Sequence, residues 1–298
     1  MNDPALAGLV APADPRAGGD VPAFGALPRV AALDDLVTRV LAPNPGHMSL
    51  DGTNTYVLGV PGSGAAMVVD PGPDDEGHRR AVEDVVGAAD AEVALILVTH
   101  HHYDHAEAAA AWAASFGCRV AAPTADVAGP GGTVIAGGDV LEAGGLRVEA
   151  VATPGHCSDH TAFRLPTGTV LTGDHILGRG TSVVAWPDGD LAAYLESLRR
   201  LLDLGPGALY PGHGPEMTDE AEAVVRYYAD HRAFRERQVL AVLADGTEDP
   251  PAMVRRIYAA VGEHLWPAAE RSTLACLHKL AAEGRVVEVA EDRWRLRP

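Results

Sequence analysis

Cysteine is scarce in this chain, and the few present form no recognisable framework. The 298 residues include three, Cys118, Cys157 and Cys276. An odd number without a Cys-x-x-Cys pair predicts neither a disulfide framework nor a structural zinc knuckle, and it favours a reducing compartment. The N-terminus also lacks the basic start and apolar core of a secretion signal, so we expect a cytoplasmic protein.

Long apolar runs and an excess of positive charge are missing as well. The apolar stretches are too short or too interrupted to cross a bilayer, so we expect no membrane association. The formal net charge of -18 works against attraction to phosphate backbones. The 47% of apolar residues is enough to bury a large core. This composition favours a globular protein that acts on a small molecule.

Composition and the positions of Pro and Gly residues divide the chain into three parts. Residues 1–25, rich in Ala, Pro and Gly, predict a flexible N-terminal arm. Residues 26–230 alternate short strands with helices, including a helix from 104 to 116, and this alternation predicts an α/β layered domain. Residues 231–298 show three helices and two short strands, the pattern of a small winged-helix-like domain. We expect Thr218 to cap the long helix that links the two domains.

A histidine-rich segment, Thr-His-His-His-Tyr-Asp-His, follows an apolar run that predicts a buried strand. Alternate residues of an extended loop face the same side, so His100 and His102 can bind one cation while His101 points away. Asp104 and His105 follow at the start of a helix and can face a second cation. Imidazole and carboxylate ligands suit zinc, with manganese or iron as alternatives.

Three further candidate ligands follow predicted strands in the second half of the same domain. His156 and His213 each come directly after a Pro-Gly pair, which allows a sharp turn that directs the imidazole away from the sheet. Asp174 ends a strand, where its two oxygens can bridge two cations. Each position alone is more typical of a turn, but together with the histidine-rich segment they complete two coordination shells.

In order and spacing, these motifs resemble the metallo-β-lactamase-fold hydrolases. Three segments are similar to the branch that contains β-lactamase-like protein 2 and its bacterial relatives: Leu-Asp-Gly-Thr-Asn-Thr-Tyr from Leu50, Thr-Pro-Gly-His-Cys-Ser-Asp-His from Thr153, and Gly-Asp-His-Ile-Leu-Gly from Gly173. A helix that starts after Asp190 is similar too. The resemblance runs from about residue 37 to the C-terminus. It implies a four-layer αβ/βα sandwich with a small C-terminal winged-helix-like domain.

The resemblance also implies two zinc ions and their ligands. Asp174 would bridge the two ions. The remaining implied ligands are His100, His102 and His156 for one zinc, and Asp104, His105 and His213 for the other.

Four more residues are candidates for supporting the site or lining its pocket. Asp70, at the end of a predicted strand, can orient a ligand histidine or can be an ordinary turn aspartate. His160, His175 and Tyr194 can line the pocket, and a purely structural role is at least as typical of such residues.

The charge of such a centre predicts hydrolysis. Two divalent cations, two aspartates and one bridging hydroxide leave about +1, which favours forming hydroxide at neutral pH and stabilising an oxyanion. Asp104, or a water, would handle the proton of the leaving group. A class B β-lactamase is disfavoured, because Cys157 does not occupy the place of the metal-binding cysteine in those enzymes.

The acidity of the chain favours an acyl thioester, ester or lactone as the substrate. The alternative is cleavage of single-stranded RNA, which the resemblance supports and which Arg232, Arg235 and Arg237 can assist. A scaffold protein without turnover is a third hypothesis, and the presence of all seven candidate ligands argues against it. The sequence leaves a homodimer open.

Overall fold

Two β-sheets pack face to face, and helices cover both outer faces. The computed structural model describes residues 3–18 and 21–298. Within these residues, the strands of the first sheet are β1 (Val30–Ala32), β2 (Val37–Leu41), β3 (Asn54–Leu58), β4 (Ala65–Val69), β5 (Glu92–Leu97), β6 (Arg119–Ala122) and β7 (Thr133–Val134). Those of the second sheet are β8 (Val140–Ala143), β9 (Leu146–Ala152), β10 (Thr161–Arg164), β11 (Thr169–Gly173) and β12 (Ala208–Pro211).

Each of the two sheets combines antiparallel and parallel strand pairs. In the first sheet β1 to β4 pair antiparallel, and β4 to β7 pair parallel. In the second sheet β8 to β11 pair antiparallel, whereas β11 and β12 are parallel.

The described helices are α1 (Glu76–Ala88), α2 (Tyr103–Ala106), α3 (Ala109–Phe116), α4 (Ala125–Ala128), α5 (Leu191–Asp203), α6 (Ala221–Ala244), α7 (Pro250–Ile257) and α8 (Trp266–Ala282). A hairpin of β13 (Val286–Ala290) and β14 (Arg293–Leu296) follows. None of the described helices combines the length and apolar character needed to span a membrane.

The alternation of side chains along β5 separates two of the cores. Leu95 and Leu97 pack in the core between the two sheets, together with Phe163 of β10. Ile96 faces the opposite way and packs with Trp112 of α3 in the core beneath α1 and α3. Because both faces of β5 are buried, this strand appears in the sequence as a continuous apolar run. The four-layer αβ/βα sandwich expected from the sequence is confirmed.

The third core joins the layered domain to the C-terminal domain. It contains Val170 of β11 and Leu198 of α5, and it continues through Val242 of α6 to Leu277 of α8. Helix α6 therefore passes without a break through the boundary expected between residues 230 and 231. Val225 in its first half lies in the same core as Val170 of β11, and its second half continues this core to Leu277 of α8, so the helix connects the two parts of the chain.

The helix expected from 104 to 116 is interrupted after α2. The carbonyl of Asp104, which would accept the next helical bond, accepts a hydrogen bond from Thr53 Oγ1 at 2.8 Å. The Ala108 N–H donates instead to Gly72 O at 3.1 Å. Both partners come from distant loops, so tertiary contacts replace the helical bonds here.

The start of α6 also differs from expectation. Thr218 does not cap the helix, because α6 begins three residues later, at Ala221. The residue before it, Glu220, has a left-handed backbone with φ of 56° and makes no capping hydrogen bond through its side chain. A pattern of Thr followed by acidic residues therefore predicted the helix but not its first residue.

The N-terminal arm packs on the body of the protein rather than lying loose. Arg16 donates to Leu177 O at 2.6 Å and to Gly180 O at 2.7 Å. Asp3 is paired with Arg256 of α7 at 2.6 Å. Residues 1, 2, 19 and 20 of the expected arm lie outside the described residues. Composition indicated little regular structure here, but it could not reveal these long-range polar contacts.

Candidate metal centre

Four loops bring the predicted ligands to one edge of the two sheets. These loops follow the carboxyl ends of β5, β9, β11 and β12. The turn before His156 needs glycine, because Gly155 has φ of 138° and a Cβ there would lie 2.3 Å from Tyr194 Cα. A Cβ on Gly212, before His213, would lie 2.6 Å from Asp174 Oδ1. The first Pro-Gly-His motif thus needs glycine for both its backbone conformation and the space, and the second needs it for the space.

Three histidines form the first cluster. The Nε2 of His100 lies 2.9 Å from the Nδ1 of His102, which lies 3.0 Å from the Nε2 of His156. The intervening His101 points elsewhere, and its Nδ1 lies 2.8 Å from Asp159 Oδ1. This is the alternation that an extended loop produces.

The second cluster adjoins the first. His213 Nε2 lies 3.2 Å from Asp104 Oδ2 and 3.2 Å from His105 Nε2. Asp174 Oδ1 lies 3.4 Å from the Nε2 of both His105 and His213. Its other oxygen, Oδ2, lies 3.7 Å from His156 Nε2 in the first cluster. Asp174 therefore faces both clusters, one oxygen toward each.

Four of the histidines are oriented by hydrogen bonds from their outer nitrogen. These Nδ1 contacts are His100 with Thr99 Oγ1 (2.9 Å), His105 with Asp70 Oδ2 (2.8 Å), His156 with Val183 O (2.7 Å) and His213 with Gly52 O (3.1 Å). Since each partner acts as an acceptor, each ring carries a proton on Nδ1 and directs Nε2 toward the centre. A cation bound through a deprotonated Nε2 requires this placement of the Nδ1 proton.

The histidines of the two clusters differ in the direction of their pKa shifts. Burial holds the pKa of His100 well below its usual value, and burial with the neighbouring His156 lowers the pKa of His102 to about 4. In the second cluster burial also opposes the charged form, but Asp174 and its neighbours outweigh it, and the pKa of His213 is raised to about 9. The first cluster thus offers neutral imidazoles, and the second is rich in negative charge.

The chemistry of the centre fits divalent cations. Asp174 Oδ1 is buried and has no hydrogen-bond partner among the described residues. The pKa of Asp174 is held well below its usual value, because the effect of burial is outweighed by His213 and His105. A buried, ionised oxygen without a donor, surrounded by imidazole nitrogens, is a suitable ligand for a cation.

Asp70 lies behind the second cluster and makes the contacts of an orienting residue. One oxygen accepts from Thr99 N at 2.8 Å, and the other accepts from Thr99 Oγ1 and His105 Nδ1, both at 2.8 Å. The Thr99 hydroxyl in turn accepts from His100. One carboxylate therefore fixes a ligand ring in each cluster.

We expect Asp70→Asn to weaken metal binding without removing a ligand. An amide retains the shape but turns one acceptor into a donor, so the rings of His105 and His100 lose their fixed orientation. Metal affinity should fall about 10- to 100-fold, the usual effect of losing such a partner. Competition with a chromophoric chelator measures this loss. Asp75→Asn is a suitable control, because Asp75 caps α1 and makes no contact with the centre; equal affinity in the two variants would contradict the assigned role of Asp70.

The three remaining predicted residues lie behind the centre rather than in a cavity wall. His160 Nε2 accepts from Asp174 N at 3.1 Å, and this hydrogen bond helps to fix the position of Asp174. His175 packs against Tyr194 with ring centroids 4.2 Å apart, and the Tyr194 hydroxyl donates to His175 O. All three side chains are buried. These contacts are those of supporting residues, and neither cavity that reaches the centre is lined by any of the three.

Two cavities meet at the centre, and both are lined by His156 and Asp174. The first, of about 370 Å³, lies between the loop after Asp174, α6 and the C-terminal domain. The second, of about 340 Å³, extends past Asp188 and Arg271. A substrate held at the centre can therefore extend in two directions.

The sequence patterns did not point to Ser182, which holds the loop after Asp174 in place. The hydroxyl of Ser182 donates to Asp174 O at 2.5 Å and lies 3.2 Å from His156 Nδ1. No local motif marks this serine, which lies in an irregular loop. Only its position beside two ligands reveals its contribution.

The fold and this centre define an αβ/βα hydrolase with a candidate metal site. Residues 48–213 match the model of the Metallo-beta-lactamase superfamily, and residues 250–294 match the Beta-lactamase associated winged helix domain. The chain belongs to the metallo-β-lactamase superfamily, whose members typically bind metal ions.

Several known proteins are similar to this chain over most of its length. A Beta-lactamase-like protein 2 homolog of Drosophila melanogaster is 35% identical over 288 residues, which covers 90% of this chain and 96% of that protein. An Atrochrysone carboxyl ACP thioesterase of Aspergillus fumigatus is 34% identical over 226 residues, 73% of this chain and 68% of that protein. Among solved structures, a metallo-beta-lactamase family protein from Thermus thermophilus has a TM-score of 0.74 and 26% identity. It matches 89% of this chain and 100% of its own.

Proposed function

We propose that this chain is a dinuclear zinc-dependent hydrolase of acyl thioesters or related small acyl esters and lactones. The observation that carries this proposal is the cavity of about 370 Å³ that reaches His156 and Asp174. Its apolar wall includes Leu177, Val183, Tyr258, Val261 and Leu265. A mostly apolar cavity of this size suits a small acyl chain.

Seven side chains would hold the two cations. Asp174 would contact both, one with each oxygen. The others are His100, His102 and His156 on one side, and Asp104, His105 and His213 on the other. The predominance of imidazole favours zinc over manganese or iron. When bound, the cations would supply a water activated at neutral pH and a positive charge next to the scissile carbonyl.

The residues of the chain would position the substrate and control its protons. In thioester hydrolysis the water oxygen bonds to the carbonyl carbon, the C–S bond breaks, and the thiol leaves with the second proton of the water. The pKa of Asp104 is lowered to about 2, since His105 and His213 outweigh the effect of burial. Asp104 is therefore ionised at neutral pH and has no proton to donate to the leaving group.

The relatives and the arrangement of arginines support an acyl substrate. One of the relatives described above is named as a thioesterase. The arginines that favoured RNA do not form a surface: Arg232 is buried, Arg235 is half-buried, and Arg237 alone is exposed. A single strand of RNA requires an accessible row of cations along its backbone.

Side-by-side turnover of two substrates tests the proposal. The full-length, zinc-reconstituted protein is assayed with an acyl thioester of N-acetylcysteamine and with a fluorescent single-stranded RNA. We expect thioester cleavage alone, with little dependence on salt. RNA cleavage that disappears in His102→Ala would make the chain a nuclease and would overturn the acyl assignment.

A further inference from the structure

Two arginines line the cavity of about 370 Å³. Neither forms an ion pair with a carboxylate of the described residues. Arg232 is 6% exposed, and Arg235 is half-buried beside it on α6. Both line the cavity that reaches Asp174. Their described hydrogen bonds go to carbonyl and amide oxygens, and the Nε of each is buried without a partner.

Aromatic rings and backbone groups hold both guanidinium groups in place. Arg232 lies 4.8 Å from the ring centroid of Tyr194 and donates to Ser182 O at 2.5 Å. Arg235 lies 4.4 Å from the ring centroid of Tyr258. Stacking of this kind fixes the plane of a guanidinium while leaving edge N–H groups available.

The position of Arg232 connects it to the candidate metal centre. Ser182, whose carbonyl it contacts, donates to Asp174 O. Because Arg232 and Asp174 line the same cavity, a group held by Arg232 lies in a cavity that reaches the candidate metal centre. The two arginines are part of the wall that adjoins the centre, not a separate surface patch.

The balance of charge indicates that the two arginines can bind an anion. A buried cation is costly unless it is paired, and this chain carries a net charge of -18, so carboxylates are plentiful. A third arginine of the same cavity, Arg179, is paired with Asp51 at 3.2 Å. The neighbouring His231 contributes no further charge, because burial and the two arginines lower its pKa to about 3.

We infer that Arg232 and Arg235 form a subsite for an oxyanion carried by the substrate, a carboxylate on the acyl group or a phosphate on the thiol leaving group. Both anions present the planar or forked oxygens that a guanidinium binds through paired N–H donors. This inference rests on the proposed function and makes it narrower: the preferred substrate is an anionic acyl thioester rather than a neutral one.

Binding of simple anions tests the subsite without turnover. Glutarate and inorganic phosphate are titrated by calorimetry into full-length protein freed of metal by a chelator, so that neither anion can bind to a cation. We expect Arg232→Gln and Arg235→Gln to weaken binding of at least one anion by about 10-fold or more, the effect of losing a charge-assisted hydrogen bond. The matched control is Arg237→Gln, an exposed arginine on the same helix, which should bind as the unaltered protein does. Equal affinity in all four proteins, or no binding to any, would overturn the subsite.

Kinetics with paired thioesters identify the source of the anion. Glutaryl and pentanoyl thioesters of N-acetylcysteamine differ by a terminal carboxylate, and pentanoyl-coenzyme A adds phosphates on the thiol side. If the acyl carboxylate is bound, the KM for the glutaryl substrate should rise about 10- to 100-fold in both variants while the pentanoyl substrate changes less than about threefold. A rise confined to the coenzyme A substrate would identify the phosphate.

A structural effect of the substitutions has a different signature. Arg232→Lys and Arg235→Lys keep the charge, so they should recover part of the preference for the anionic substrate. An equal loss on neutral and anionic substrates, mainly in kcat, would mean that the arginines only support the loop at Ser182 and would overturn the subsite. Should no thioester be cleaved, the proposed function fails, and the calorimetry still decides the subsite by itself.

Discussion

Replacing His102 with alanine is expected to abolish metal-dependent turnover while leaving the fold intact. The Nδ1 of His102 is the atom that connects His100 and His156, with nitrogen to nitrogen distances of 2.9 and 3.0 Å. Without it the first cation would keep His100, His156 and one oxygen of Asp174, so it loses one of its three imidazoles and its fixed geometry. Loss of the several kcal/mol that a catalytic cation contributes corresponds to a fall in kcat of about 10³-fold or more.

The fold should survive this change because His102 is partly exposed and faces a cavity. The melting temperature of the metal-free protein should therefore stay close to that of the unaltered chain. The neighbouring His101→Ala provides the control for metal content, since its ring faces Asp159 and both cations should be retained. Full activity in a His102→Ala sample with verified metal content would rule out this centre.

Asp174→Asn is expected to release at least one of the two cations. The carboxylate places one oxygen 3.4 Å from His105 and His213 and the other 3.7 Å from His156. An amide lacks the negative charge and has a single oxygen, so it cannot serve both clusters. Elemental analysis after dialysis should show about one metal per chain or less, with turnover reduced by about 10²-fold or more.

A substitution of Asp188 is the control that distinguishes loss of a ligand from a general loss of negative charge near the centre. Asp188 lies at the edge of the smaller cavity, where it accepts from Ser158 Oγ at 2.6 Å. Asp188→Asn should retain both cations. Two cations per chain in Asp174→Asn would show that the carboxylate does not bridge, and the proposed division of ligands would have to be revised.

Local patterns in the sequence were sufficient for the parts of the fold that depend on local physics. The apolar run before Thr99 predicted β5, because a strand buried on both faces has no polar side. Asp190 predicted the start of α5, and its side chain accepts from Ala193 N as an N-cap. The alternation of His100, His101 and His102 followed from the geometry of an extended chain.

Contacts between distant residues decided what these patterns could not. The carbonyl of Asp104 is taken by Thr53, so the helix predicted after the histidines is divided into α2 and α3. Arg16 is held by carbonyls more than 160 positions away in the sequence, and the N-terminal arm packs accordingly. Composition and periodicity describe a residue by its neighbours in sequence, and neither can register such partners.

The sequence by itself determined the types and order of the candidate ligands and the layered fold, because histidines and aspartates at strand ends converge wherever those ends share one edge. Only the tertiary structure decided which residues form the cavity. Arg232 and Arg235 appeared in the sequence as part of a basic cluster, yet α6 turns them inward, beside Tyr194 and Tyr258. The helix is shared by two domains, so the direction of each side chain depends on what packs against both halves, and that packing is absent from any local pattern.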